Sequence, residues 1–170
     1  AELLGCARTL GSDVSALVQG GTVQVSGTGD VVDRLPDLTP ANFVILVPDV
    51  PVPAHKTASL YSRITQAMYT GGRYTAAAIA SLKERASVRP DLLFNVFDGV
   101  AAESFPGIER ARAELARLSH TDVHLAGSGP ALFAMAESAV QSSRIVTELT
   151  AKGWTAFDVE SVGGAGTPPR

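Results

Sequence analysis

One cysteine and three histidines among 170 residues exclude two common ways of holding a small fold together. Cys6 has no second thiol to pair with inside the chain, and His55, His120 and His124 do not fall at zinc-ligand spacing. A sequence without internal disulfides fits a reducing cytoplasm. Charge is sparse as well: 14 basic against 17 acidic side chains make 18% of the residues and a net charge of −3. Nucleic acid and anionic membrane both select a basic face, and this chain has no basic excess to build one. The longest apolar run, residues 43–47, is far short of the roughly 18 residues that span a bilayer. No basic segment followed by an apolar one stands at the start, and no methionine, so residue 1 reads as the middle of a longer protein.

What the sequence does have is apolar material. Hydrophobic residues make up 45%, enough for a core and too much for a disordered chain. The length bounds the answer to one domain, or one domain and a fragment of another.

Local patterns divide the chain. Residues 1–9 read as the last turns of a helix that stops at Gly11. Alternation over 21–34, interrupted by Gly27-Thr28-Gly29-Asp30, predicts two strands around a glycine turn. Residues 42–47 form a compact apolar strand ended by Pro48. Helical patterns follow over 57–68 and 74–85, separated by Gly71-Gly72, and residues 90–104 are irregular. Phe105, Ile108, Leu115 and Leu118 share a helical face in a helix starting at Pro106. Strands over 123–125 and 131–135 flank Gly127-Ser128-Gly129-Pro130, then a helix over 139–151 and a strand over 155–159 complete the pattern. Helices interrupting antiparallel strands predict an α+β fold with helices on one face of a sheet. The Gly/Pro-rich end, 161–170, is expected to be a disordered tail.

Several residues carry chemistry, each with a plainer role beside it. Asp13 precedes a short apolar segment, where a carboxylate either caps a helix or accepts a proton from a substrate hydroxyl. Gly127-Ser128-Gly129 is either a hairpin turn or a nest of backbone amides for an anion. Gly27-Thr28-Gly29 reads as a hairpin. Tyr61 lies one helical turn after Thr57 and faces the same way, to plug the core or to stack on a base. His124, in an apolar strand, reads as a satisfied half-buried side chain, and Asn95 and Asp98 as helix caps before substrate ligands.

In order along the chain, Leu10-Gly11-Ser12-Asp13-Val14 with Gly20-Gly21, Thr57-Ala58 with Tyr61, Asn95 with Phe97-Asp98, and Leu125-Ala126-Gly127-Ser128-Gly129-Pro130-Ala131 resemble the GHMP small-molecule kinases. The resemblance covers residues 1 to about 160. It implies the α+β GHMP C-terminal domain, an antiparallel sheet backed by helices in a ferredoxin-like arrangement, over 38–160, with 1–37 left from the N-terminal domain. It implies a cytoplasmic enzyme that moves the γ-phosphate of ATP, as its Mg complex, to a small alcohol, in the closest-looking branch the 2-hydroxyl of CDP-methylerythritol. Asp13 then matches the catalytic aspartate, Gly127, Ser128 and Gly129 the turn beside the phosphate site, and Thr57 and Tyr61 a substrate-binding segment near the cytidine. No residue matches a metal ligand.

The departures are specific. Ser15 and Ala16 stand where the family has Pro and Phe, and Val96 where it has Asp. The family's ATP phosphate loop and active-site lysine belong to an N-terminal half that these residues do not contain, so that half is the expected partner and the fragment alone is expected not to turn over. Two alternatives stay open: another GHMP kinase, for mevalonate, homoserine or a sugar, and a non-catalytic ligand-binding module of the same fold.

Overall fold

A computed structural model describes residues 6–7, 9–87 and 89–162. The helix expected over 1–9 is seen at Cys6, Ala7 and Thr9, its other residues lying outside the described ones, as does the tail from 163 onward. The described residues fall into two compact units. One holds those up to Pro40, Ile79 to Ser87, and Val162; the other holds Ala41–Ala78 and Arg89–Ser161.

In the first unit α1 (Val14–Gln19) is closed by Gly20, whose amide bonds back to the Ala16 carbonyl. Strands β1 (Val23–Ser26) and β2 (Val31–Arg34) pair antiparallel, with Val25 opposite Val32. The turn between them is the predicted glycine turn. Within it, Asp30 Oδ1 accepts from both the amide and the hydroxyl of Thr28.

The second unit is built on a four-stranded antiparallel sheet in the order β4-β5-β3-β6. Its strands are β3 (Asn42–Val47), β4 (Val123–Leu125), β5 (Leu132–Ala136) and β6 (Thr155–Glu160). Period-two alternation turns Val44, Leu46, Leu125, Leu132 and Ala134 to one face, all buried. Against them lie Ile108, Ala111, Leu115 and Leu118 of α5 (Ile108–Ser119) and Ile145 and Leu149 of α6 (Ala139–Ala151). Phe105 is fully enclosed between the two layers, and each such side chain stabilises by about 1.5–3 kcal/mol. Lys152, just after α6, ties to Glu114 of α5. Hydrogen bonds from Arg117 and then Lys152 hold the Glu114 carboxyl down to about 2. The architecture is thus mixed α+β, antiparallel strands backed by helices.

Two helix boundaries differ from the sequence expectation. The helix over 57–68 is instead α2 (Lys56–Tyr61), a turn, and a separate 3₁₀ turn at Gln66–Met68. Ser62 ends α2 by bonding its hydroxyl back to the Ser59 carbonyl, and Thr65 is extended. The helix expected from Pro106 starts at Ile108, because Gly107 takes a left-handed backbone (φ 90°) that no helix interior accepts. Between α2 and α5 run α3 (Arg73–Arg85), 3₁₀ turns at Pro90–Leu92 and Val96–Val100, and α4 (Ala101–Ser104). Among the described residues no helix is long and apolar enough to cross a membrane.

Candidate functional site

The turn joining β4 to β5 is where sequence-distant polar side chains converge. Its frame is local: the Ala126 amide bonds to the Ala131 carbonyl (2.8 Å) and the Gly129 amide to the Ala126 carbonyl (3.0 Å). Gly127 and Gly129 both take positive φ, 59° and 66°. A Cβ on Gly129 would lie 2.7 Å from Leu125 Cδ2 and 3.1 Å from Phe105 Cε2, so the turn sits directly on the core. The amides of Gly127 and Ser128 make no hydrogen bond to any described residue. Successive unspent amides beside a left-handed glycine are the makings of an anion nest.

Two further segments hold this turn. From α2, the Thr57 hydroxyl meets the Ser128 hydroxyl at 3.2 Å, and Lys56 Nζ donates to the Gly129 carbonyl. From the loop before Val96–Val100, Asn95 Nδ2 donates to the carbonyls of Leu125 (2.9 Å) and Gly127 (2.8 Å). Its Oδ1 accepts from the Phe97 amide at 3.0 Å. Asn95 therefore caps, as its sequence suggests, and also anchors the turn.

β4 is an edge strand, and side chains stand where another strand would. Asp98 Oδ1 accepts from the Leu125 amide at 2.8 Å, Arg112 donates to the Val123 carbonyl, and Asn95 takes the Leu125 carbonyl. Unpaired edge groups are thereby satisfied without a fifth strand. Asp98 is no helix cap: its Oδ2 lies 2.8 Å from His124 Nδ1, and Arg112 approaches its Oδ1 at 3.3 Å. His124 is half satisfied, since its Nε2 is buried with no partner among the described residues.

Tyr61 is not a core residue. It is 63% exposed, and its ring meets Phe97 edge-on at 5.0 Å. It lines a cleft of about 350 Å³ with Met68, Tyr69, Phe94 and Val96. Of its two expected roles, plugging the core is not what the structure has, since only Leu60 of α2 is buried.

Asp13 belongs to the first unit and is described by itself. It occupies the N-cap position of α1, yet its carboxylate makes no capping hydrogen bond and is exposed. Capping by that side chain, the plainer of its two roles, is not what the structure has. Among the described residues no group of three or more His, Cys, Asp or Glu could hold a metal ion.

Sequence reasoning missed Lys56 and Arg112. Lys56 stands immediately before a segment already singled out, and a lone cation beside Thr57 is the signal that was available.

Known proteins carry the same pattern. The family model for the C-terminal region of GHMP kinases matches residues 76–154. A 4-diphosphocytidyl-2-C-methyl-D-erythritol kinase of Dehalococcoides mccartyi is 34% identical over 162 residues, 95% of this chain. In sequence and fold the chain is similar to the C-terminal part of GHMP kinases. A kinase of the same name from Carboxydothermus hydrogenoformans is 30% identical over 154 residues, 89% of this chain and 52% of that protein. Against the D. mccartyi kinase, the chain spans 57% of the relative's length. Among solved structures, a 4-(cytidine 5′-diphospho)-2C-methyl-D-erythritol kinase superposes with a TM-score of 0.77 at 27% identity, over 96% of this chain and 58% of that one. A homoserine kinase from Cytophaga hutchinsonii, at 17% identity and TM-score 0.64, shares the GHMP fold over 90% of this chain and 52% of its own.

Proposed function

We propose that these residues form the C-terminal part of an ATP-dependent phosphotransferase that phosphorylates the 2-hydroxyl of 4-diphosphocytidyl-2-C-methyl-D-erythritol, in isoprenoid precursor synthesis. Residues 38–160 act as its C-terminal domain and 1–37 as the end of its N-terminal one. The observation that supports this most is the Gly127–Gly129 turn: two unspent amides, held by Thr57 and Asn95 from segments 71 and 32 residues away. A connector has no use for such support, whereas phosphoryl transfer depends mainly on positioning and charge stabilisation. The names of the relatives over nearly the whole chain support the acceptor.

In this reading Mg arrives with ATP, and the turn attends the phosphates. The acceptor oxygen bonds to the γ-phosphorus as its proton passes to the Asp13 carboxylate, and ADP leaves with the electrons of the broken bond. The exposed and uncapped state of that carboxylate supports its use as a base. General-base help of this kind is worth about 10²–10⁴ in rate.

The test is phosphorus NMR of the full-length gene product with Mg-ATP and CDP-methylerythritol, mevalonate or homoserine. A new phosphomonoester on CDP-methylerythritol alone is expected. Transfer to another alcohol moves the acceptor, and no transfer to any leaves a binding module. Asp13→Asn is expected to lower turnover by about 10²–10⁴ with nucleotide affinity within a few fold, and normal turnover in that variant removes Asp13 as the base.

A further inference from the structure

Lys56 is a cation with its charge unanswered. Its side chain is only part exposed, yet it pairs with no carboxylate among the described residues. Among the described residues its ammonium bonds to a neutral acceptor, the Gly129 carbonyl. An ammonium has three protons, so two stay unspent after that bond. A partly desolvated charge without a counter-charge is costly unless something anionic meets it.

The surroundings are short of anions and rich in donors. The Gly127 and Ser128 amides are unspent on the same turn. The Thr57 and Ser128 hydroxyls share one bond at 3.2 Å, which uses one hydroxyl proton and leaves the other. Lys56 is also aimed by the backbone. The preceding residue, His55, sits in the left-handed region (φ 51°, ψ 44°), a conformation that costs a non-glycine residue about 1–2 kcal/mol. Such strain persists where the surrounding contacts fix it, and here they are Lys56 to Gly129, Thr57 to Ser128, and the Ser59 amide to the His55 carbonyl.

We propose that Lys56 is a ligand-binding cation: pinned over the Gly127–Gly129 turn by the Gly129 carbonyl, its ammonium takes a phosphate oxygen of a diphosphate-bearing ligand. This rests on reading the turn as a phosphate site. The diphosphate can belong to the acceptor or to the nucleotide donor, and the chemistry at Lys56 is the same for both.

The probe is inorganic pyrophosphate, titrated into the complete protein at low salt, with CDP and ADP as separate arms. Lys56→Met is expected to weaken pyrophosphate about tenfold and Lys56→Arg to restore most of it, because one charge-assisted hydrogen bond is at stake. The logarithm of affinity against salt concentration is expected to flatten in Lys56→Met. A loss confined to CDP places the acceptor's diphosphate at Lys56, and one confined to ADP places the donor's. In the unaltered protein, pyrophosphate is expected to move the Lys56 ε-carbon resonance, which keeps the test valid if a variant misfolds. Equal pyrophosphate affinity in Lys56→Met, or an unmoved resonance at saturation, overturns the proposal. The kinase reading fails separately: tenfold weaker pyrophosphate binding without phosphoryl transfer upholds Lys56 and removes the kinase, while transfer with Lys56-independent binding does the reverse.

Discussion

The chain holds two Gly-x-Gly turns between antiparallel strands, and they are built on opposite plans. In Gly27-Thr28-Gly29-Asp30 the restraining group comes from within, Asp30 receiving the Thr28 amide and hydroxyl. Gly127-Ser128-Gly129-Pro130 leaves two amides open and is held by Lys56, Thr57 and Asn95. A turn whose restraining carboxylate lies within it is held locally, as a connector is. A turn that recruits side chains from two other segments while leaving donors unspent has its shape fixed for a ligand. The lesson is that the motif alone does not separate the two; the source of the restraining groups does.

The widest gap between the turns is expected at their second glycines. A Cβ on Gly29 (φ 94°) would lie 2.2 Å from the Ser12 carbonyl oxygen, a backbone atom that cannot rotate away. On Gly129 it meets side chains, Leu125 at 2.7 Å and Phe105 at 3.1 Å, which give by rotamer changes. Gly29→Ala is therefore expected to cost about 3 kcal/mol or more, and Gly129→Ala about 2 kcal/mol. Pyrophosphate affinity is expected to rank the other way, nearly intact in Gly29→Ala and lost in Gly129→Ala. Denaturant melts with a parallel titration check both orders, and equal affinity losses would erase the contrast.

Asn95→Ala comes next. It removes two hydrogen bonds to carbonyls and the cap on the Phe97 amide, a loss of about 2 kcal/mol when buried groups go unanswered. Turnover per substrate bound is expected to fall further than stability alone explains, since the Gly127 carbonyl is freed to rotate. Asn95 makes no hydrogen bond to the first turn, so its hairpin amides are expected to keep their hydrogen-exchange protection in the same variant.

Much of the fold was legible because its signals are local. The strand over 42–47 is an apolar run closed by Pro48, the first hairpin announces itself in glycines, and α6 starts at Ser138, whose hydroxyl accepts from the Gln141 amide. Periodicity failed where a side chain ends an element, as Ser62 ends α2. The site was legible as a set of segments and not as a geometry. Thr57 and Ser128 were both singled out, but their contact spans 71 residues and leaves no trace in spacing. Arg112 and Asp98 bond to backbone atoms of β4, which every residue carries, so no residue type across from them marks the bond. Lys56 was passed over for a similar reason, because its partner is a carbonyl.

The smallest expected effect discriminates best. Thr28→Ala loses a hydroxyl bonded to Asp30, and Ser128→Ala loses one bonded to Thr57, and both pairs are exposed. Exposed hydroxyl pairs contribute little, so each variant is expected to lose about 0.5 kcal/mol or less. On stability the two turns then look alike. On binding they should not: Ser128→Ala removes a donor beside two unspent amides and a pinned ammonium, and is expected to weaken pyrophosphate about threefold, while Thr28→Ala leaves it unchanged. Matched stability removes the usual confusion between a loosened fold and a lost ligand contact. Affinities that agree in the two variants would return Gly127-Ser128-Gly129 to the class of the first turn, a hairpin whose supports serve the fold alone.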